Sequence, residues 1–245
     1  MTKDAIRQKV WNRIALAGVA CFPGAQGRIP NFIGAARAAT LLSGLTLWKR
    51  ARVIMVDCGA PQLAVRRAAL GEGKTVYLFT PGLHSERCFI ELEPAALGAR
   101  SWRGASLHGA RRFGRLVSPH EVRCVDLVML GSVAVTRQGA RVGKGNGLTD
   151  LAYALLRQAG KVREYTPILT TVHPLQVVDE RIPMRAHDIP VDFLVTPDQV
   201  VAAPSLYPRP RGILWDLLPE ERIRAVPVLR RERRESRGVR APRQL

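Results

Sequence analysis

Short runs of almost wholly apolar residues alternate with helix-like segments, and this alternation restricts the fold more than any other feature of the sequence. The strand-like runs cover residues 52–56, 75–79, 125–135, 168–172 and 192–196. The helix-like segments cover residues 3–17, 31–45, 61–71 and 148–160. Strands that are apolar at nearly every position are typical of a parallel sheet covered on both faces. The sequence therefore predicts an α/β protein with a mostly parallel sheet between two layers of helices.

The chain is long enough to bury a large core, and it carries an unusual charge. Its 245 residues are 47% hydrophobic, and 38 Lys and Arg against 20 Asp and Glu give a net charge of +18. We expect one domain over residues 1–229, followed by a basic, disordered tail over residues 230–245. A second basic segment covers residues 100–123. Such a charge indicates an anionic partner, either a phosphate-rich small molecule or a nucleic acid.

The cysteines and the chain start predict a protein of the cytoplasm. Cys21, Cys58, Cys88 and Cys124 are too far apart in sequence for a CxxC motif, so we expect reduced, packed thiols. The first residues lack the apolar core of a signal peptide, and no apolar run is long enough to cross a membrane. We therefore expect no membrane partner.

A glycine-rich segment carries the clearest chemical signal. Residues 141–150 read Arg-Val-Gly-Lys-Gly-Asn-Gly-Leu-Thr-Asp and lie between a strand and a helix. Alternating glycines let backbone N–H groups converge on a phosphate, and the following helix start adds further unpaired N–H groups. Asp150 can then orient a magnesium ion. A flexible hairpin end with a helix-capping carboxylate explains the same residues equally well.

Three segments in order resemble the 5-formyltetrahydrofolate cyclo-ligase family. RxGxGxGxxD at Arg141–Asp150 resembles its ATP-binding motif, Lys3 and Arg7 resemble its N-terminal cation pair, and His187–Asp192 resembles a late motif ending in Asp. Further matches, such as Arg28–Phe32 and Arg209–Trp215, resemble the methenyltetrahydrofolate synthetase domain-containing branch. Lys3 and Arg7 taken alone are more typical of a solvated helix face.

The resemblance implies a fold, a reaction and a set of site residues. The fold would be a three-layer α/β/α domain of the NagB/RpiA/CoA-transferase-like type. The activity would be ATP- and Mg²⁺-dependent conversion of 5-formyltetrahydrofolate to 5,10-methenyltetrahydrofolate. Arg141 and Lys144 would be catalytic, Phe32 and Pro61 would contact the substrate, and Asp150 and Asp192 would hold Mg²⁺. ATP would be bound by Lys3, Arg7, Arg141, Gly143, Lys144, Gly145, Asn146, Gly147 and Asp150.

Two departures from the family pattern leave alternatives open. The family's folate-contacting glutamate corresponds to a position near Pro61, where this chain has no carboxylate, and the aromatic pair before the motif's Asp is replaced by Leu148 and Thr149. A paralogue that binds ATP but acts on another small substrate is therefore a second hypothesis. Nucleic-acid binding through the basic tail is a third hypothesis, which is not favoured because no recognition motif is visible.

Overall fold

The structure is a computed structural model that describes residues 1–204 and 206–238. Its helices are α1 (Lys3–Leu16), α2 (Ala35–Ser43), α3 (Thr46–Arg50), α4 (Leu63–Gly71), α5 (Pro94–Leu97), α6 (Ser101–Gly104), α7 (Leu107–Phe113), α8 (Leu148–Gln158), α9 (Glu220–Ala225) and α10 (Pro227–Gly238). Its strands are β1 (Val53–Val56), β2 (Thr75–Phe79), β3 (Phe89–Leu92), β4 (Arg115–Val117), β5 (Leu127–Leu130), β6 (Ala134–Val135), β7 (Arg141–Val142), β8 (Ile168–Thr171), β9 (Phe193–Val195) and β10 (Val200–Ala202).

Eight of these strands form one sheet in the order β10-β9-β8-β5-β1-β2-β3-β4. The five central strands, β9, β8, β5, β1 and β2, are parallel to one another. The edge strands β10, β3 and β4 pair antiparallel to their neighbours. Strands β6 and β7 form a separate antiparallel hairpin. The mostly parallel sheet confirms the fold class expected from the apolar runs.

Alternating side chains of the central strands enter two different cores. Ile54 of β1 belongs to the core under α2 and α4, while Met55 belongs to the core under α8. All four residues of β1 are buried, because helices cover both faces of the sheet. This arrangement confirms the predicted three-layer architecture.

A third, smaller core fixes α1 beside the glycine-rich segment. The apolar stripe of α1, Ile6, Val10 and Ile14, is fully buried against residues of the β6–β7 hairpin that include Val133 and Val142. The polar side of the same helix carries Lys3 and Arg7 one turn apart. Burial of the stripe therefore holds both cations near the segment that follows β7.

The structure differs from the sequence-based expectation at the sheet edges and at the carboxyl end. Strands β3, β4 and β10 are not among the strands expected from the sequence, and the basic segment of residues 100–123 contains α6, α7 and β4. Residues 230–238 are helical, because α10 buries Val228, Leu229 and Glu232 despite its charge. Residues 239–245 of the predicted tail lie outside the described residues. No helix in the described part of the chain is long and apolar enough to span a membrane.

Ile54 provides a test of the central core. Its side chain is 0% exposed between two neighbouring strands, so Ile54→Ala should lower the free energy of unfolding by about 2–5 kcal/mol. Ile33 is 60% exposed, and Ile33→Ala should change stability by less than about 0.5 kcal/mol. Urea denaturation of both variants measures the difference, and equal stability losses would contradict this account of the core.

Candidate functional site

A basic cavity of about 740 Å³ lies between the start of α1 and the glycine-rich segment. Its walls include Lys3, Arg7 and Arg141 together with Gly143, Gly145, Gly147 and Asp150. The remaining polar lining comes from Thr2, Asp4, Arg185, His187 and Asp188. The structure therefore brings together most of the residues that the sequence resemblance assigned to ATP. Cations and a glycine-rich backbone at one cavity wall suit a polyanionic ligand.

We call residues 143–147 the glycine loop. Two physical reasons explain why glycine occupies particular positions in it. Gly145 and Gly147 have φ values of 110° and 65°, which strongly favour a residue without a Cβ. A Cβ on Gly145 would also lie 3.2 Å from Cζ of Arg7, whose Nε donates to the carbonyl of Gly143 at 2.8 Å. The helix α1 and the loop are thus in direct contact, and an alanine in the loop would push Arg7 away.

Arg141 is a buried side chain that links three segments of the site by hydrogen bonds. Its side chain is only 2% exposed, and its three nitrogens donate to the carbonyl of Ile189, the carbonyl of Gly131 and Oδ1 of Asp150. The Arg141–Asp150 bond is 2.7 Å long and fixes the carboxylate at the first turn of α8. Because its guanidinium is engaged on three sides, Arg141 positions Asp150 in this structure.

The late motif contributes a different carboxylate from the expected one. Asp188 lines the basic cavity, forms an ion pair with Lys3 and accepts from the backbone N–H of Arg185. Asp192 lies elsewhere: both of its oxygens accept from Arg209, at 2.5 and 2.6 Å, and it also accepts from the N–H of Ile168. Asp192 is not among the described residues lining the cavity, so the structure does not bring it to Asp150.

A second pocket, the Asp57 pocket, lies across the glycine loop from the basic cavity. It has a volume of about 280 Å³ and apolar walls that include Ile29, Phe79 and Leu148. Within the loop, Lys144 and Asn146 line this pocket, whereas the glycines line the basic cavity. The loop therefore forms a thin partition between two ligand-sized spaces, and Lys144 lies on the side opposite Lys3 and Arg7.

The buried Asp57 supplies the one carboxylate among the described residues that line this second pocket. Its Oδ2 accepts from the N–H of Gly131 at 3.2 Å and from the hydroxyl of Thr149 at 3.1 Å. The buried Arg66 guanidinium donates to the carbonyls of Asp57 and Gly59 and so fixes the chain just after β1. Burial lowers the pKa of Arg66 only to about 10, so the side chain stays charged at neutral pH.

Cys58 lines the same pocket but is unsuited to nucleophilic attack. Burial, with a further contribution from the charge of Asp57, raises the pKa of the thiol to about 12. The thiol is therefore protonated at neutral pH, in agreement with the expectation that it serves in packing.

The two residues predicted to contact a substrate are packed inside the protein. Phe32 is 2% exposed and meets the ring of His173 edge-on at a centroid distance of 6.0 Å. His173 caps the following turn, and burial lowers its pKa. Pro61 is buried at the amino end of α4. Neither Phe32 nor Pro61 lines either pocket among the described residues, whereas Gly59 and Ala60 next to Pro61 do line the Asp57 pocket.

Sequence reasoning missed Asp188 as a wall of the basic cavity and Asp57 as a pocket carboxylate. Asp57 had a local signal in the sequence, because it directly follows an apolar strand and ligand sites of parallel sheets lie at such strand ends. Asp188 and Asp192 are equivalent by residue type, and they are distinguished by their partners, Lys3 for Asp188 and Arg209 for Asp192. The contact of Asp188 with Lys3 joins residues 185 positions apart.

A separate basic groove of about 600 Å³ runs along α9 and α10. It is lined by Arg224, Arg230, Arg233 and Arg234 together with Glu86 and Glu220. Arg233 pairs with Glu220, and Arg234 lies 3.9 Å from Glu86, so part of the positive charge is neutralised within the protein. Nucleic-acid binding at this end of the chain stays a prediction.

Comparison with known proteins gives a consistent result. A family model for the 5-formyltetrahydrofolate cyclo-ligase family matches residues 24–197. A methenyltetrahydrofolate synthase domain-containing protein from Mus musculus is 38% identical over 97% of this chain, and one from Danio rerio is 36% identical over 95%. The chain spans 65% of the length of the first relative and 62% of the second.

The fold also matches a solved structure. The NMR structure of 5,10-methenyltetrahydrofolate synthetase from Aquifex aeolicus superimposes with a TM-score of 0.53 and covers 83% of this chain and 93% of its own, at 23% identity. This similarity concerns the fold alone. The match of the family model to most of the chain shows that this protein belongs to the 5-formyltetrahydrofolate cyclo-ligase family.

Proposed function

We propose that this protein is an ATP- and Mg²⁺-dependent cyclo-ligase that converts 5-formyltetrahydrofolate to 5,10-methenyltetrahydrofolate, ADP and phosphate. The observation that carries the proposal is the pair of spaces separated by the glycine loop. The basic cavity would hold the triphosphate, and the Asp57 pocket would hold the reduced folate. Transfer would require the γ-phosphate and the formyl oxygen to meet directly past the edge of the loop, and the loop's glycines let its backbone lie close to both ligands.

The proposed reaction transfers the γ-phosphoryl group of ATP to the formyl oxygen of the substrate. The substrate's N10 then attacks the activated carbon, and phosphate leaves as the C–O bond breaks. Phosphoryl transfer depends on positioning and on neutralising charge more than on a protein nucleophile. Lys3, Arg7 and the N–H groups of the glycine loop would neutralise the phosphates. Lys144, on the other side of the loop, would meet the phosphorylated formyl group.

The carboxylates of the basic cavity fit a magnesium ion. Asp150 presents a carboxylate at the cavity wall and is held there by Arg141, and carboxylate oxygens are the ligands that Mg²⁺ prefers. Asp188 offers a second carboxylate in the same wall, where it also pairs with Lys3. Bound Mg²⁺ would supply charge neutralisation on the phosphate oxygens. We assign Asp192 to holding Arg209 and the amino end of β8, because its oxygens are already engaged there.

Asp57 would recognise the folate ring. The pterin ring carries an amino group and a ring N–H, and a buried carboxylate is a strong acceptor for such donors. This chain lacks a carboxylate near Pro61, and Asp57 supplies one at the end of β1 instead. Arg28 at the pocket rim would meet the glutamate carboxylate of the substrate.

The direct test mixes the purified chain with 5-formyltetrahydrofolate, MgCl₂ and ATP. We expect the absorbance of methenyltetrahydrofolate to rise only when ATP is present, with one ADP formed for each product molecule. A mixture without ATP is the control. Binding of MgATP without any methenyltetrahydrofolate would contradict the folate substrate and support a different small acceptor.

Asp150→Asn tests the magnesium assignment without a change of size. We expect turnover to fall by about a hundredfold or more, because the ion's charge stabilisation is worth several kcal/mol. The matched control is Asp198→Asn, since Asp198 is 63% exposed and pairs only loosely with Arg37, at 3.6 Å. Thermal melting should show that both variants are folded. Wild-type turnover in Asp150→Asn at limiting Mg²⁺ would rule out this role.

Asp57→Asn tests recognition of the ring. The asparagine can still accept from Gly131 and Thr149, so the local structure should persist. We expect KM for 5-formyltetrahydrofolate to rise by about tenfold or more, because a charged acceptor is lost, while KM for ATP changes little. Steady-state kinetics with each substrate varied in turn measure both values. Equal increases of the two KM values would argue against a role specific to folate.

A further inference from the structure

A small apolar pocket adjoins the basic cavity and, among the described residues, shares no lining residue with the Asp57 pocket. Its volume is about 140 Å³, and its walls include Leu151 and Ala154 of α8 and Leu214 and Leu217 of the carboxyl-terminal region. Gly147, Asp150 and His187 line both this pocket and the basic cavity. The two spaces are therefore adjacent, and one ligand can extend from the cationic part into the apolar part.

The outer wall of this apolar pocket lies beyond the part of the chain that the family model matches. Residues 210–222 form it, whereas the family match ends at residue 197. Hydrogen bonds attach the wall to both ends of α8. Arg157 donates to the carbonyl of Pro210 at 3.2 Å, and Arg222 donates to the carbonyl of Asn146 in the glycine loop at 2.9 Å. The wall is therefore held against the loop and α8 by specific contacts.

The chemistry of the apolar pocket differs sharply from that of its neighbour. The basic cavity suits phosphates, while leucine and proline side chains beside α8 suit a flat, weakly polar ring. Leu217 is 55% exposed, although it lies in a pocket wall. An exposed leucine in a concave wall gains free energy when a ring covers it, at about 25 cal/mol per Å² of apolar surface. His187 and Arg222 add polar groups that can orient such a ring.

We propose that residues 210–222 form the base-binding pocket for the nucleoside triphosphate whose phosphates occupy the basic cavity. This inference rests on the proposed function, because it takes the phosphate position from it. The new element is that the base would be recognised by a segment outside the residues that the family model matches. Arg222 links this segment to the glycine loop, so the parts that contact base and phosphates are held together.

The test compares two ligands of equal phosphate charge, ATP and methyl triphosphate, by isothermal titration calorimetry at one Mg²⁺ and salt concentration. Wild-type protein should bind ATP at least about tenfold more tightly than methyl triphosphate. Leu217→Ser should weaken ATP binding by about tenfold, which corresponds to the loss of one leucine contact, and change methyl triphosphate binding by less than about twofold. The matched control is Leu116→Ser, because Leu116 is 48% exposed on β4 and lines none of these pockets among the described residues.

The outcomes separate this inference from the proposed function. Equal affinities of wild-type protein for the two ligands would overturn the base pocket while leaving phosphate binding intact. Equal weakening of both ligands by Leu217→Ser, or no weakening of either, would also overturn it. Failure of wild-type protein to bind either ligand would overturn the proposed function and this inference together. Circular dichroism and melting of both leucine variants check that they are folded.

Discussion

The buried guanidinium of Arg141 is the interaction on which the candidate site depends. It donates to Gly131 after β5, to Ile189 in the late motif and to Asp150 at the start of α8. A buried cation requires such partners, because leaving it unpaired costs several kcal/mol. The need to satisfy one charge therefore fixes three separate segments around the glycine loop. Arg7 donates to the carbonyl of Gly143 in the same loop, and burial of the apolar stripe of α1 holds Arg7 there.

The glycine loop lies between two chemically different pockets. Its glycines face the basic cavity, and Lys144 and Asn146 face the Asp57 pocket. The parallel strand β1 brings Asp57 to the second pocket, and Arg66 fixes the chain there. Residues 210–222 add a third, apolar space next to the first. Charge, a buried carboxylate and an apolar wall thus lie close to one loop.

The sequence predicted the central layers because their signals are local. Residues 75–79 were predicted as a strand and form β2, and the apolar stripe of α1 was visible as a helical repeat. The edge strand β4 was missed because it is only three residues long and partly polar, as Arg115 shows, and it is held by its pairing with β3. The helix over residues 230–238 was missed because charge dominates its composition. The place of Asp188 in the site depends on its contact with the distant Lys3, which spacing along the chain does not encode.

The most direct measurement is a crystal structure of the chain with Mg²⁺ and a non-hydrolysable ATP analogue. We expect the triphosphate to lie against the glycine loop, between Lys3 and Arg7, with Mg²⁺ on Asp150 and the base against Leu217. The Asp57 pocket should stay free for the second substrate. Phosphates bound in the groove of α9 and α10, with the basic cavity empty, would contradict this expectation.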